Sequence, residues 1–123
     1  MKIVPLVLSL LASCAVIPGD RVLDSTRGVE EALVELSHDL PLSQPVVVQD
    51  ASILWKGYLG LAFNHPGHYR VLLEQSLTDR EKTMVLRHEY AHLLVWDRGL
   101  QDDNPHGTLW GATFAEVFRR SLD

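Results

Sequence analysis

Five consecutive residues, His88-Glu89-Tyr90-Ala91-His92, carry the clearest chemistry in this chain. They spell His-Glu-x-x-His. On a helix, residues four apart sit one above the other on a single face. Two imidazoles so placed can grip one Zn²⁺, and the glutamate between them can act as general base on a metal-activated water. The pattern therefore predicts His88 and His92 as metal ligands and Glu89 as the catalytic residue of a hydrolase.

A catalytic zinc site takes three protein ligands and keeps one position open. His106 is the best third ligand: it lies in the polar loop Gln101-Asp102-Asp103-Asn104-Pro105-His106-Gly107, which can fold back towards the metal, with Pro105 restricting the approach. Glu116 is the alternative, although a solvated side chain explains it equally well. The compact zinc pattern needs Gly at 95 and His at 98, where this chain has Val95 and Arg98. Without a metal, two buried imidazoles and a buried carboxylate would be costly. The same residues would be harmless on a solvated face, but their apolar neighbours argue for an inward one.

The elements that must position these residues are legible too. Thr78 and Glu81 form a capping box that opens a helix. Met84, Val85, His88, Ala91, His92, Val95 and Trp96 follow at helical spacing, and Gly99 is the stop. Thr108 opens a last helix carrying Leu109, Trp110, Phe114, Val117 and Phe118. Upstream, Val29, Ala32, Leu33, Leu36 and Leu40 share a face of a helix from about Gly28, ended by Pro41. Strands are predicted at Val46–Val48, Tyr58–Phe63 and Tyr69–Leu73, with a turn over Asn64–His68. The expected class is α+β: N-terminal helix, small antiparallel three-stranded sheet, zinc-motif helix and C-terminal helix.

Other aromatic and imidazole side chains have plainer readings. Trp55, Tyr58 and Phe63 are expected beneath the sheet, with substrate contact the alternative for Trp55 or Tyr58. His65 and His68 could make a second metal site, but their loop has turn chemistry and no further ligand is evident, so the turn reading is preferred. His38 suits a helix C-terminus, and Tyr90 suits the core.

Taken together, His88-Glu89-Tyr90-Ala91-His92 with Leu93-Leu94-Val95-Trp96, then Pro105-His106-Gly107 and Trp110, resembles the SprT-like zinc metallopeptidases, the family of the DNA–protein crosslink protease Spartan. The resemblance runs from about Gly28 to the C-terminus and is specific only after Thr78. It implies a zincin-like minimal domain, zinc held by His88, His92 and His106, and Glu89 as catalytic base. Some bacterial relatives carry a C-terminal cysteine zinc ribbon, for which this sequence has no second cysteine. DNA-binding regions like those of Spartan are not visible.

The first residues point to export. Met1-Lys2 is a minimal positive start, Ile3 to Leu11 is largely apolar, and Leu11-Ala12-Ser13-Cys14 matches a bacterial lipobox. The apolar run is too short to span a bilayer. Residues 1–13 are read as a lipoprotein signal peptide. Residues 14–27 are read as a lipidated Cys14 and flexible tether, and 28–123 as the peptidase domain. Several acyl chains on Cys14 would anchor firmly. Ala15, in place of aspartate, favours the outer membrane, with the domain facing the periplasm. With one cysteine no intramolecular disulfide forms.

Composition narrows the partners. The 123 residues carry a net charge of −5, so no basic surface calls for nucleic acid. About 110 residues after the signal are enough for one small domain. The expected function is a lipid-anchored zinc metallopeptidase acting on extended or unfolded polypeptide along an exposed strand edge. The alternatives are a cell-wall peptide hydrolase, or a non-catalytic zinc-containing lipoprotein that binds a partner. Asp97, Asp102, Asp103 and Glu116 are all candidates for orienting the ligand imidazoles, and the sequence does not choose among them.

Overall fold

The computed structural model describes residues 28–100 and 105–122. Helix α1 (Val29–Asp39) leads into strand β1 (Val46–Ala51) and a single 3₁₀ turn (Leu54–Lys56). Strands β2 (Gly60–His65) and β3 (His68–Glu74) form a hairpin. Helices α2 (Asp79–Asp97) and α3 (Thr108–Leu122) follow. The class is α+β, as the sequence predicts.

Helix α2 is the axis of the fold, and both its ends are built as the sequence implies. Thr78 Oγ1 accepts from the Glu81 N–H, while Glu81 Oε1 accepts from the Thr78 N–H at 2.8 Å. At the other end Gly99 is left-handed, with φ 68°. The Gly99 N–H donates to Trp96 and the Leu100 N–H to Val95, the bonds of a Schellman stop. Between these ends every residue from Thr83 to Val95 is buried. The helix is therefore enclosed on all sides rather than amphipathic, because β2, β3, α1 and α3 all pack against it.

The sheet order is β1-β3-β2. It is mixed rather than antiparallel throughout: β2 and β3 are antiparallel, but β1 runs parallel to β3, Val46 opposite Tyr69. The reason is the hairpin. Pro66-Gly67, with Gly67 at φ 90°, turns β2 directly into β3. Strand β3 then inserts between β1 and β2 and runs alongside β1. This turn also lengthens β2 beyond the predicted Phe63, to His65. Tyr69, Val71, Leu73 and Ala62 face α2 and are buried. They close a core with Val85, Leu86, Tyr90, Leu93 and Leu94.

Helix α1 is tied to this core by Tyr90. Its hydroxyl donates to the Leu40 carbonyl at 2.6 Å and lies 3.3 Å from that of Leu36, capping the C-terminal turn of α1. Tyr58 and Phe63 pack partly buried against the core, as expected. Trp55 does not. It is 75% exposed on the 3₁₀ turn, its indole N–H donating to the Ser52 carbonyl 3.0 Å away. That local bond satisfies its one polar group without burial of the ring.

Among the described residues no helix is long and apolar enough to cross a membrane. The signal-peptide and tether assignments, Cys14, Asp102 and Asp103 lie outside the described residues.

Candidate metal centre

Helix α2 holds His88 and His92 one turn apart, both buried. The segment entering α3 brings His106 over them, half-buried. One ligand nitrogen from each of the three imidazoles lies within 4.8 Å of the others. The Nε2 atoms of His88 and His106 are 3.2 Å apart. Bonds of about 2.0–2.1 Å to a tetrahedral Zn²⁺ would hold two nitrogens roughly 3.3–3.4 Å apart, so this spacing already suits a shared cation. The ring centroids form a nearly even triangle, at 5.4, 5.1 and 5.0 Å.

Trp110 walls this triangle. Its ring lies 4.7 Å from His88, 5.2 Å from His92 and 4.7 Å from His106, centroid to centroid. Phe114, one turn further along α3, stacks on Trp110 at 5.1 Å. This apolar wall restricts the ring rotations of the ligands and keeps water off one side of the centre.

The electrostatics suit metal ligation. Burial lowers the imidazole pKa of His88 to about 3 and of His92 to about 2, with repulsion from the neighbouring imidazoles adding to it. Burial lowers His106 as well. All three are thus neutral at physiological pH, with lone pairs free to bind a cation. Glu89 is fully buried, and neither carboxylate oxygen has a hydrogen-bond partner. Burial pushes its carboxyl up to about 8. A buried carboxyl without a partner, next in sequence to His88 and set among three neutral imidazoles, makes a donor set that fits a cation and its water.

Two residues, one against Glu89 and one in the scaffold, escaped the sequence reading. Gly60, at the start of β2, lies against Glu89 and Val85 of α2. A Cβ there would overlap Val85 Cγ1 and stand 3.0 Å from Glu89 Oε2. An isolated glycine inside a strand pattern is a sign of such close approach, and that signal was available. Glu74, at the end of β3, is buried and accepts four hydrogen bonds: from the Ile53 and Leu54 N–H groups at 2.8 and 2.7 Å, and from the Ser76 N–H and hydroxyl at 2.9 and 2.6 Å. It fastens the 3₁₀ turn and the entry to α2 to one point. Nothing in the sequence marks it.

Asp97 and Glu116, two of the acidic candidates for orienting the imidazoles, have other partners. Asp97 accepts from the Ser43 N–H and hydroxyl and from the Tyr69 hydroxyl, the last at 2.8 Å. Burial pushes its carboxyl up, but these bonds outweigh that and leave it lowered. Glu116, the alternative third ligand, pairs instead with the Arg98 guanidinium at 3.0 Å. His65 and His68 stand apart from the triad as a stacked pair. Compared with protein-family models, with curated proteins and with solved structures, the chain matches none.

Proposed function

We propose that this protein is a zinc metallopeptidase of the SprT-like type, anchored through a lipidated Cys14 and acting on extended or unfolded polypeptide in the periplasm. The observation that carries the reading is the neutral His88–His92–His106 triangle with the unpartnered carboxylate of Glu89 beside it. A purely structural metal site has no use for such a base. His88, His92 and His106 would hold the ion. When bound, Zn²⁺ supplies Lewis acidity, lowering the pKa of a water and polarising a carbonyl. With an ion held by the three imidazoles, the Glu89 carboxyl would be favoured in its ionised form. Glu89 would accept the proton of an attacking water and deliver it to the amine nitrogen as the C–N bond breaks.

Substrate enters along β2, an edge strand of the sheet. The Glu74 N–H donates to the Leu59 carbonyl, so 59/74, 61/72 and 63/70 are the hydrogen-bonded pairs. Gly60, Ala62 and Asn64 therefore aim their backbone groups away from β3. Pairing there would lay a peptide backbone next to Glu89. Ala62 is fully buried, so docking has to displace whatever covers that edge.

The test uses the full chain with unfolded protein and, separately, with peptidoglycan, each with and without chelator. The expected result is chelator-sensitive cleavage of unfolded protein. Glu89→Gln should retain the metal and lose about 10²–10⁴-fold in turnover. Parent-like turnover by Glu89→Gln, or cleavage of peptidoglycan alone, would overturn the reading.

A further inference from the structure

We propose that His65 and His68 form a second, accessory site for a borderline divalent transition-metal ion, independent of the His88–His92–His106 centre. The two residues face each other on the last rung of the β2–β3 hairpin. Their rings stack with centroids 4.6 Å apart and planes inclined by 12°. His65 is only 5% exposed, and neither of its ring nitrogens has a hydrogen-bond partner. A buried imidazole always carries at least one N–H, so this residue forgoes a bond whichever tautomer it adopts. Such omissions are rare in folded proteins, and a coordinated ion is an explanation that the neighbouring His68 imidazole also supports.

The surroundings suit one. Burial holds His65 below the usual histidine range, with repulsion from His68 and Arg70 adding to it, so its lone pair is free at neutral pH. Arg70 shares this face of the sheet, but it is drawn aside: its Nε donates to Gln49 at 2.9 Å and its guanidinium lies over the Phe63 ring. The hairpin itself is stiff. Pro66 and the left-handed Gly67 form the turn, and the Gly67 N–H donates to the Gln44 side chain at 2.9 Å. In-plane lone pairs of stacked rings run parallel, so binding requires His68 to turn about its broad terminal torsion until one of its nitrogens and one of His65 face a shared ion. Two imidazoles favour Cu²⁺, Ni²⁺ or Zn²⁺ over hard cations, and Cu²⁺ is held tightest. The remaining positions stay open to water.

The probe is Cu²⁺ added to zinc-loaded full-length protein, with zinc content followed in parallel. The expected result is one further equivalent of Cu²⁺ per chain without release of zinc, showing nitrogen coordination by electron paramagnetic resonance. His65→Phe, which preserves the stack, and His68→Phe, on the more exposed ring, should each abolish that equivalent. Cu²⁺ should also raise the melting temperature of the parent and not of His68→Phe. Displacement of zinc one for one with no further uptake would overturn the proposal, as would undiminished uptake in both variants. The proposal does not rest on peptidase activity: a chain that cleaves nothing must still lose one Cu²⁺ equivalent in these variants.

Discussion

Gly60 and Glu89 stand in close contact: a Cβ at Gly60 would lie 3.0 Å from Glu89 Oε2 and 3.2 Å from its Cγ, tight enough that the carboxyl would have to give way. The strand beside the Glu89 carboxyl thus begins with the one residue that lets its backbone reach α2. The contact also helps enclose Glu89, which is fully buried.

Gly60→Ala separates the two consequences of this contact. The new methyl overlaps Val85 Cγ1, so the variant should lose about 1–3 kcal/mol of stability. Adding Val85→Ala removes that overlap and should recover most of the melting temperature. It leaves the crowding of Glu89, where small displacements of a reacting group can cost up to about 10²-fold in rate. The double variant should therefore melt near the parent, bind metal like the parent and turn over slowly, with kcat affected more than KM. Full recovery of kcat would show that the contact with Glu89 has no catalytic consequence.

His106→Ala tests the third ligand. His106 is half-buried and outside α2, so the fold should survive its loss. Metal retention should not, because two imidazoles from one helix make an incomplete site. Dialysis followed by metal analysis reads this directly. Parent-like retention would place the third ligand elsewhere.

Tyr90 fills a variable position of the zinc motif, yet it joins two helices. Tyr90→Phe keeps the ring packing and deletes the donor to the Leu40 carbonyl, which is buried with it. Loss of a buried partner of this kind costs about 1–3 kcal/mol. The melting temperature should fall while metal content and turnover per folded molecule stay unchanged. A matching fall in metal content would mean that α1 docking also sets the ligand geometry.

The centre was more legible than the scaffold, for a physical reason. His88, Glu89 and His92 are neighbours on one helix, so helical period alone places them. The capping box at Thr78 and the stop at Gly99 are equally local. His106 came within reach because a polar loop and Pro105 limit where it can go. Strand direction is not local. The hairpin at Pro66-Gly67 fixes β2 against β3, but whether β3 lies outside β2 or between β2 and β1 depends on packing against α2. Trp55 was misplaced because an aromatic residue reads as core unless a nearby carbonyl, here that of Ser52, is known to satisfy it outside. Asp97 and Glu116 are only candidates in the sequence, because their partners Ser43, Tyr69 and Arg98 are set by the tertiary fold.

Glu74 supplies the pH dependence of the scaffold. The Ser76 hydroxyl and N–H, then the Ile53 and Leu54 N–H groups, hold its carboxyl down at about 2, against an ordinary 4.5. A group whose folded pKa is depressed stabilises fully above its unfolded pKa and loses that contribution as pH falls through the folded one. Stability should therefore decline from about pH 4.5 towards about pH 2 as the four acceptor bonds are protonated away. Glu74→Gln removes the charge and half of the acceptor capacity. It should lower the melting temperature at neutral pH and flatten the decline below pH 4.5, so that parent and variant converge in acid. The 3₁₀ turn at Leu54–Lys56 should open first, because two of the four bonds tie it down. Hydrogen exchange at the Ile53 and Leu54 amides in the variant reads this. Parallel melting curves for parent and variant across that pH window would show that Glu74 is not the group being titrated.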